Sequence, residues 1–270
     1  MKGTRATGRH AGSKVFRHEL KYYLHWSDYE TIRKKLRLIA YLDPHSIDET
    51  GYQIRSLYFD DIQDMALEDK KNAASSGRKY RIRIYNNSDA AIKMERKSKI
   101  GGYICKEAVA IARDEYASIM TGQTDFLKET ESSLLRDFYV ESRHPLFAPR
   151  IVTDYIREAY GMETGNVRVT FDKQLMTTVD FDDLFNDQLA MVSVIPQPML
   201  IMEVKFDHFL PFNIQYLLQN LSNQRTLISK YAVCREKTKN LNNSQYERGM
   251  QSFSQMSKPF LTNGPGRAFE

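Results

Sequence analysis

Polar and apolar positions alternate with a period of two through much of this chain, the spacing at which a strand sends successive side chains to opposite faces of a sheet. The alternation predicts strands over residues 16–24, 52–59, 79–85, 91–98, 103–111, 150–160, 167–175 and 199–206. Asn86-Asn87-Ser88-Asp89 joins the third and fourth of these as a hairpin, and Ile100-Gly101-Gly102 and Gly165-Asn166 mark further turns. Between these runs the period becomes helical. Tyr29, Ile32, Leu36 and Ile39 follow Ser27-Asp28-Tyr29-Glu30, which reads as a capping box: the serine accepts from the third helical amide and Glu30 reaches back. Asp60-Asp61 suits the start of a helix through about residue 72. Helical stretches follow over 113–121 and 124–142, the second with Leu134, Leu135 and Phe138 on its buried side. Pro211 opens a short helix with Ile214, Leu217, Leu218 and Leu221 at core spacing. About eight strands joined mostly by tight turns, with helices in runs, indicate an antiparallel α+β architecture. Residues 1–14 read as a flexible arm, 15–236 as the folded unit and 237–270 as a polar tail.

Several of the alternating positions are charged. Arg17, Glu19 and Lys21 share one face of the first strand; Lys79, Arg81 and Arg83 share a face of the third, and Lys93, Glu95 and Lys97 of the fourth. Lys106, Arg157, Arg168 with Asp172, and Glu203 with Lys205 continue the series. None of these groups belongs in an apolar core unpaired. Taken singly, each row fits a solvated face with cross-strand Lys–Glu pairs. Their recurrence around one sheet, with Arg81 beside Arg83, points instead to a polyanion that joins like charges. If the sheet closes with these faces inward, it encloses a basic tunnel with a minority of carboxylates. Arg and Lys there would neutralise phosphate oxygens while a few carboxylates hold Mg²⁺ or Mn²⁺, the arrangement suited to inorganic or nucleoside triphosphates. Phosphoryl transfer rests on positioning and electrostatics, so the absence of a Ser-His-Asp or Cys-His constellation does not exclude an enzyme.

Composition narrows the picture without changing it. The chain has 270 residues, 41% of them apolar, enough for a sizeable core. Its 39 basic and 34 acidic residues are nearly balanced at a net +5, which favours an anionic partner but is not the charge of a polycation. Tyr80 and Tyr85 interleave with arginines, yet no RNA-binding motif accompanies them, so nucleic acid is not the expected partner. No P-loop or dinucleotide-binding pattern is present, and the six histidines show no metal-ligand spacing. Cys105 and Cys234 fit neither a metal nor a redox spacing and read as buried thiols of a reduced, cytoplasmic protein. The most apolar stretch, 189–204, is interrupted by Pro196 and Pro198, so no membrane span is expected; peripheral membrane attachment, or attachment through a membrane-protein partner, stays open.

The ordered set Arg17-His18-Glu19-Leu20-Lys21-Tyr22, Ile54-Arg55-Ser56-Leu57-Tyr58-Phe59-Asp60, Arg81-Ile82-Arg83-Ile84-Tyr85, Met94-Glu95-Arg96-Lys97, Tyr155-Ile156-Arg157, Val167-Arg168-Val169-Thr170-Phe171-Asp172, Glu203-Val204-Lys205 and Ser229-Lys230-Tyr231 resembles the VTC domain. That domain is the polyphosphate polymerase branch of the CYTH, or triphosphate tunnel metalloenzyme, superfamily. The resemblance implies an eight-stranded antiparallel β-tunnel, a closed barrel with flanking helices. It also implies transfer of the γ-phosphate of ATP to inorganic polyphosphate with Mn²⁺ or Mg²⁺. On the matching positions it makes Lys21, Arg81, Arg83, Lys97, Arg157 and Lys230 phosphate contacts, with Ser229 beside them, and Glu203 the metal carboxylate. Arg81, Arg83, Lys97 and Arg157 are the catalytic candidates among them. Lys106 and Lys205 are further phosphate candidates, and Glu19 and Glu95 subsidiary metal candidates. Hydrolytic relatives open with Glu-x-Glu-x-Lys, whereas here the first position is Arg17. That departure favours a polymerase over a tripolyphosphatase or nucleoside triphosphatase. A module that binds polyphosphate without turning it over is the non-enzymatic alternative.

Overall fold

The computed structural model describes residues 17–61, 78–100 and 103–239, and in it the alternating runs form one antiparallel sheet. The strands are β1 (His18–His25), β2 (Tyr41–Leu42), β3 (Tyr52–Asp60), β4 (Arg78–Tyr85), β5 (Ser88–Ile100), β6 (Tyr103–Ile111), β7 (Ala148–Met162), β8 (Val167–Thr178), β9 (Val192–Ser193) and β10 (Met199–Phe206). The helices are α1 (Trp26–Leu36), α2 (Arg113–Met120), α3 (Ser133–Ser142), α4 (Phe212–Leu218) and α5 (Lys230–Lys239). Eight strands follow one path, β1-β10-β8-β7-β3-β4-β5-β6, while β2 pairs with β7 and β9 with β8 off it. Backbone pairing among the described residues does not join β1 to β6. The sheet nevertheless curls until side chains reach across from β1 to β5, the strand next to the far end, with Lys97 lying 3.7 Å from Glu19.

The turns form where small or amide residues tolerate positive φ. Asn86 and Asn87 stand at φ 51° and 52° between β4 and β5, and Gly165 and Asn166 at 72° and 47° between β7 and β8. Gly51, at φ 104°, packs so closely on β7 that an added Cβ would lie 2.0 Å from the Arg157 carbonyl oxygen.

Two apolar layers cover the convex face. On one half Leu57, Phe59, Ile82, Ile84 and Met94 of β3–β5 pack against Tyr116, Ile119, Leu134 and Phe138 of α2 and α3. On the other, Tyr22, Leu24, Phe171, Met202 and Val204 meet Tyr29, Ile32 and Leu36 of α1 and Ile214 and Leu218 of α4. A third cluster lies on the concave side, where Tyr231, Ala232 and Cys234 of α5 pack on Tyr52, Ile54, Tyr58, Tyr155 and Ile201 and plug the interior. Cys105 and Cys234 are free and buried.

Three expectations about elements change. The capping box at Ser27 is not formed: α1 starts at Trp26, and the His25 ring nitrogen accepts from the Ser27 amide at 3.2 Å, so the cap falls earlier. The helix expected over 124–142 is a short 3₁₀ turn, Asp125–Leu127, followed by α3, because Ser132 accepts from the Leu135 amide and starts the helix afresh. Strand β7 extends at both ends beyond 150–160. The arm at 1–14, the helix expected after Asp61, the turn glycines 101 and 102 and nearly all of the tail lie outside the described residues.

Candidate functional site

Directly paired residues of an antiparallel sheet share a face, so the register decides which charges meet. Glu19, Lys205 and Arg168 lie in one row, and Lys21, Glu203 and Thr170 in the next. Asp172 pairs with Arg157, Ser56 with Arg83, Tyr58 with Arg81, Arg81 with Glu95, and Lys97 with both Lys79 and Lys106. Most of the charged positions expected on one face gather on the concave side into three clusters, each centred on carboxylate; Arg168 instead pairs with Asp43, and Lys79 and Lys93 each lie over a ring, Tyr231 and Tyr85, at 5.5 Å.

Glu95, 2% exposed, is held by Arg81 at 2.6 Å, Lys106 at 2.8 Å and Arg83 at 3.9 Å. Burial opposes its ionisation, but the three cations outweigh it and keep the carboxyl far below its ordinary range. Arg81 also donates to the Tyr58 hydroxyl at 2.8 Å, and Arg83 to Ser56 Oγ at 3.1 Å and the Tyr155 hydroxyl at 3.3 Å. Both guanidinium groups are thus oriented by neutral hydroxyls as well as by charge.

Glu19 is met by Lys21 and Lys205, each at 3.3 Å, and by Lys97 at 3.7 Å. Burial raises its pKa, and the lysines more than offset this, leaving it at about 2. The lysines feel the same confinement: burial lowers Lys97 to about 8 against the pull of Glu19, and Lys106 to about 8 against Glu95. Both remain about half open to water, with side chains 47% and 52% exposed, so the setting is a narrow channel rather than a core.

The deepest cluster is that of Asp172 and Glu203. Arg157 grips Asp172 through two hydrogen bonds of 2.6 and 2.7 Å and lies 3.8 Å from Glu203. Lys230, from the first turn of α5, bonds Glu203 at 2.7 Å and also pairs with Asp172. Lys205 reaches Glu203 at 3.3 Å. Tyr155 lies against two of these cations, its ring centre 5.3 Å from the Arg157 guanidinium carbon and 5.2 Å from Lys230 Nζ. Against burial, Lys230, Lys205, Lys21 and Arg157 hold the Glu203 carboxyl well below its ordinary range.

Eight cations, Lys21, Arg81, Arg83, Lys97, Lys106, Arg157, Lys205 and Lys230, thus face four carboxylates, Glu19, Glu95, Asp172 and Glu203. Ser229 stands at the start of α5 with its hydroxyl accepting from the Ala232 amide at 3.5 Å, next to Lys230. Arg17 lies at the edge, paired with Asp207 at 2.9 Å and removed from the clusters. The supports Ser56, Tyr58 and Tyr155 are not among the expected site residues, and the fourth carboxylate, Asp172, is expected on the charged face but without a role in phosphate or metal binding. Ser56 and Tyr58 could have been found by noting that they alternate with the apolar Leu57 and Phe59 and so share the charged face.

Among the described residues no group of three His, Cys, Asp or Glu side chains is placed to hold a metal ion. A divalent cation that keeps waters and is bound by one or two carboxylates plus substrate phosphates needs less, and Glu203, ionised and facing the channel, fits that donor set.

A family model described as the VTC domain matches residues 16–239. No curated protein matches the chain. Among solved structures, a candidate adenylyl cyclase from Hippeastrum, described as having a dominant triphosphatase activity, is 15% identical, with 82% of this chain and 96% of that one covered at a TM-score of 0.48. A candidate adenylate cyclase from Bacillus halodurans is 12% identical, with 81% and 96% covered at 0.49. The PH1819 protein of Pyrococcus horikoshii is 15% identical, with 82% and 99% covered at 0.42.

Proposed function

Because the chain belongs to the VTC domain family, we propose that it is a metal-dependent polyphosphate polymerase, transferring the γ-phosphate of ATP to the end of an inorganic polyphosphate chain. The observation that carries this reading is the excess of cations on the concave face, with Arg81, Arg83 and Arg157 each fixed by a carboxylate and by aromatic or hydroxyl neighbours. Rigid donors aimed at phosphate oxygens need no reorganisation as charge redistributes in the transition state.

In this reading Arg81, Arg83, Lys97 and Arg157 hold the reacting phosphates, and Lys21, Lys106, Lys205 and Lys230 neutralise the chain on either side. A terminal phosphate oxygen of the acceptor attacks the γ-phosphorus as the bond to the β-phosphate oxygen breaks. ADP leaves with the electron pair, and the lining cations stabilise that charge. Glu203, with oxygens of the substrate itself, would hold Mn²⁺ or Mg²⁺, which supplies further neutralisation of phosphate charge when bound. Glu19 and Glu95, each enclosed by three cations, space the lysines and arginines that a phosphate chain would otherwise have to gather.

Incubation of the protein with ATP and Mn²⁺ or Mg²⁺ should yield ADP and long-chain polyphosphate, resolved by gel electrophoresis. Release of orthophosphate with no chain growth would replace this reading by hydrolysis, which the half-exposed Lys97 and Lys106 favour because water reaches that part of the channel. Arg83→Ala should lower kcat/KM by about 10- to 100-fold, the loss of a charged hydrogen-bond donor.

A further inference from the structure

The convex side carries a second feature unrelated to the channel. Residues 31–42 and 208–235 contain no Asp or Glu, and the two segments meet where α1 and α4 pack on the same half of the sheet. Lys35 Nζ stands 5.9 Å from the Tyr216 ring centre, which joins α1 to α4. Asn213 reaches Met162 Sδ at 3.8 Å, and Tyr41 closes over the neighbouring Gly161, so the surface continues to the turn after α1. Large apolar side chains stand outward on it: Leu38 is 84% exposed, Phe212 80%, Tyr216 61% and Tyr41 57%. Lys34 and Lys35 are exposed between them. An open cavity of about 370 Å³ adjoins α4, walled by Leu20, Tyr22, Leu210 and Leu218 with Arg225 among its lining residues.

An exposed apolar patch of this kind marks an interaction surface. Its occupant is constrained by charge. A second copy docked through the same face would bring two sets of Lys34 and Lys35 into one interface with no acid of either segment to pair them. These side chains project separately from the turn after α1, from β2 and from α4, an arrangement suited to a deformable acceptor. Aromatic and aliphatic side chains beside lysines, on segments that themselves carry no acid, are the composition of elements that lie in the membrane interface.

We propose that this face docks the protein on the surface of an anionic lipid bilayer. Leu38, Tyr41, Phe212 and Tyr216 enter the boundary between headgroups and acyl chains, while Lys34 and Lys35 lie over anionic headgroups. No helix among the described residues is long and apolar enough to cross the membrane, so the contact is interfacial.

Flotation of the full chain with vesicles tests this. Vesicles of phosphatidylcholine mixed with phosphatidylglycerol should carry the protein, and those of phosphatidylcholine alone should carry much less. Replacing Lys34 and Lys35 by Gln should weaken vesicle affinity by about fivefold for each charge removed. Phe212→Glu with Tyr216→Glu should abolish flotation while ATP affinity stays at the parent value, which shows that the variant folds. Because the basic channel could itself attract anionic vesicles, equal flotation of parent and variants would overturn the proposal. So would absence of flotation, or a dimer in analytical ultracentrifugation that the same substitutions dissolve without any vesicle binding.

Discussion

Lys97 and Lys106 are ammonium groups whose surroundings bring their titration close to neutral pH, and this gives phosphate binding a definite pH dependence. Burial lowers both to about 8, so they are charged below that value and lose their protons as pH rises through it. A bound polyanion favours the protonated forms. Affinity for ATP in the absence of metal should therefore be full near pH 7 and fall above about pH 8, by up to about tenfold per pH unit for each lysine involved. The phosphate itself is already ionised there, its last proton leaving near pH 6. Isothermal titration calorimetry from pH 7 to 9.5 measures this; a Lys97→Arg, Lys106→Arg double variant, charged throughout, should flatten the curve. A flat profile in the parent would remove both lysines from the phosphate path. Glu203 makes a second prediction at this scale. Glu203→Gln takes away one negative charge among Lys230, Lys205 and Arg157, so metal-free ATP affinity should hold or rise while metal-dependent turnover falls at least about 100-fold. Unchanged turnover with Mn²⁺ would show that the metal is held elsewhere.

Elements were readable from the chain wherever one physical rule dominated, and less so where contacts from distant segments decided. The alternation in 79–85 and 103–111 places β4 and β6 to within a residue because a period of two leaves one choice of face. The cap of α1 falls at His25 and not at Ser27 because the two offer competing acceptors two residues apart, and the His25 ring nitrogen, 2.8 Å from the Ser27 hydroxyl, takes the Ser27 amide. What local pattern could not show at all is Glu158. It lies on the convex side of β7, fully buried, and accepts from Tyr160 at 2.5 Å, Tyr29 at 2.6 Å, Arg33 at 2.8 Å and Lys173 at 3.1 Å. Tyr160 and Lys173 lie 2 and 15 residues away on β7 and β8, but Tyr29 and Arg33 of α1 lie 129 and 125 residues away, so no spacing announces the cluster. Glu158 ties α1 to the sheet half that carries Asp172 and Glu203. Glu158→Gln, which leaves Arg33 and Lys173 without their shared carboxylate, should cost about 3–5 kcal/mol of stability. Urea unfolding measures the loss, and a change below about 1 kcal/mol would mean that the apolar packing of Tyr29, Ile32 and Leu36 holds α1 unaided.

At the scale of the whole molecule the channel concentrates like charges that the fold only partly compensates, and the apolar layers outside must offset the remainder. Glu19, Glu95, Asp172 and Glu203 stand in as internal anions, yet eight cations surround them. Repulsion among the surplus disfavours the compact state, so an anion that binds only the folded channel should stabilise the protein by mass action. Tripolyphosphate at 100 times its dissociation constant would add about 2.7 kcal/mol, equivalent to roughly 5–10 °C in Tm for a chain of this size. Chloride at matched ionic strength screens but does not bridge cations and should give only a small part of that shift. The comparison separates a channel built to hold phosphate from a merely solvated charged face, since screening alone treats the two salts alike. In Arg83→Ala the tripolyphosphate shift should shrink while the chloride effect persists, because one bridged cation is gone and the general field is little altered. If tripolyphosphate and chloride raised Tm equally in the parent, the concave charges would be acting as a surface, and the assignment of the channel to phosphate would fail with them.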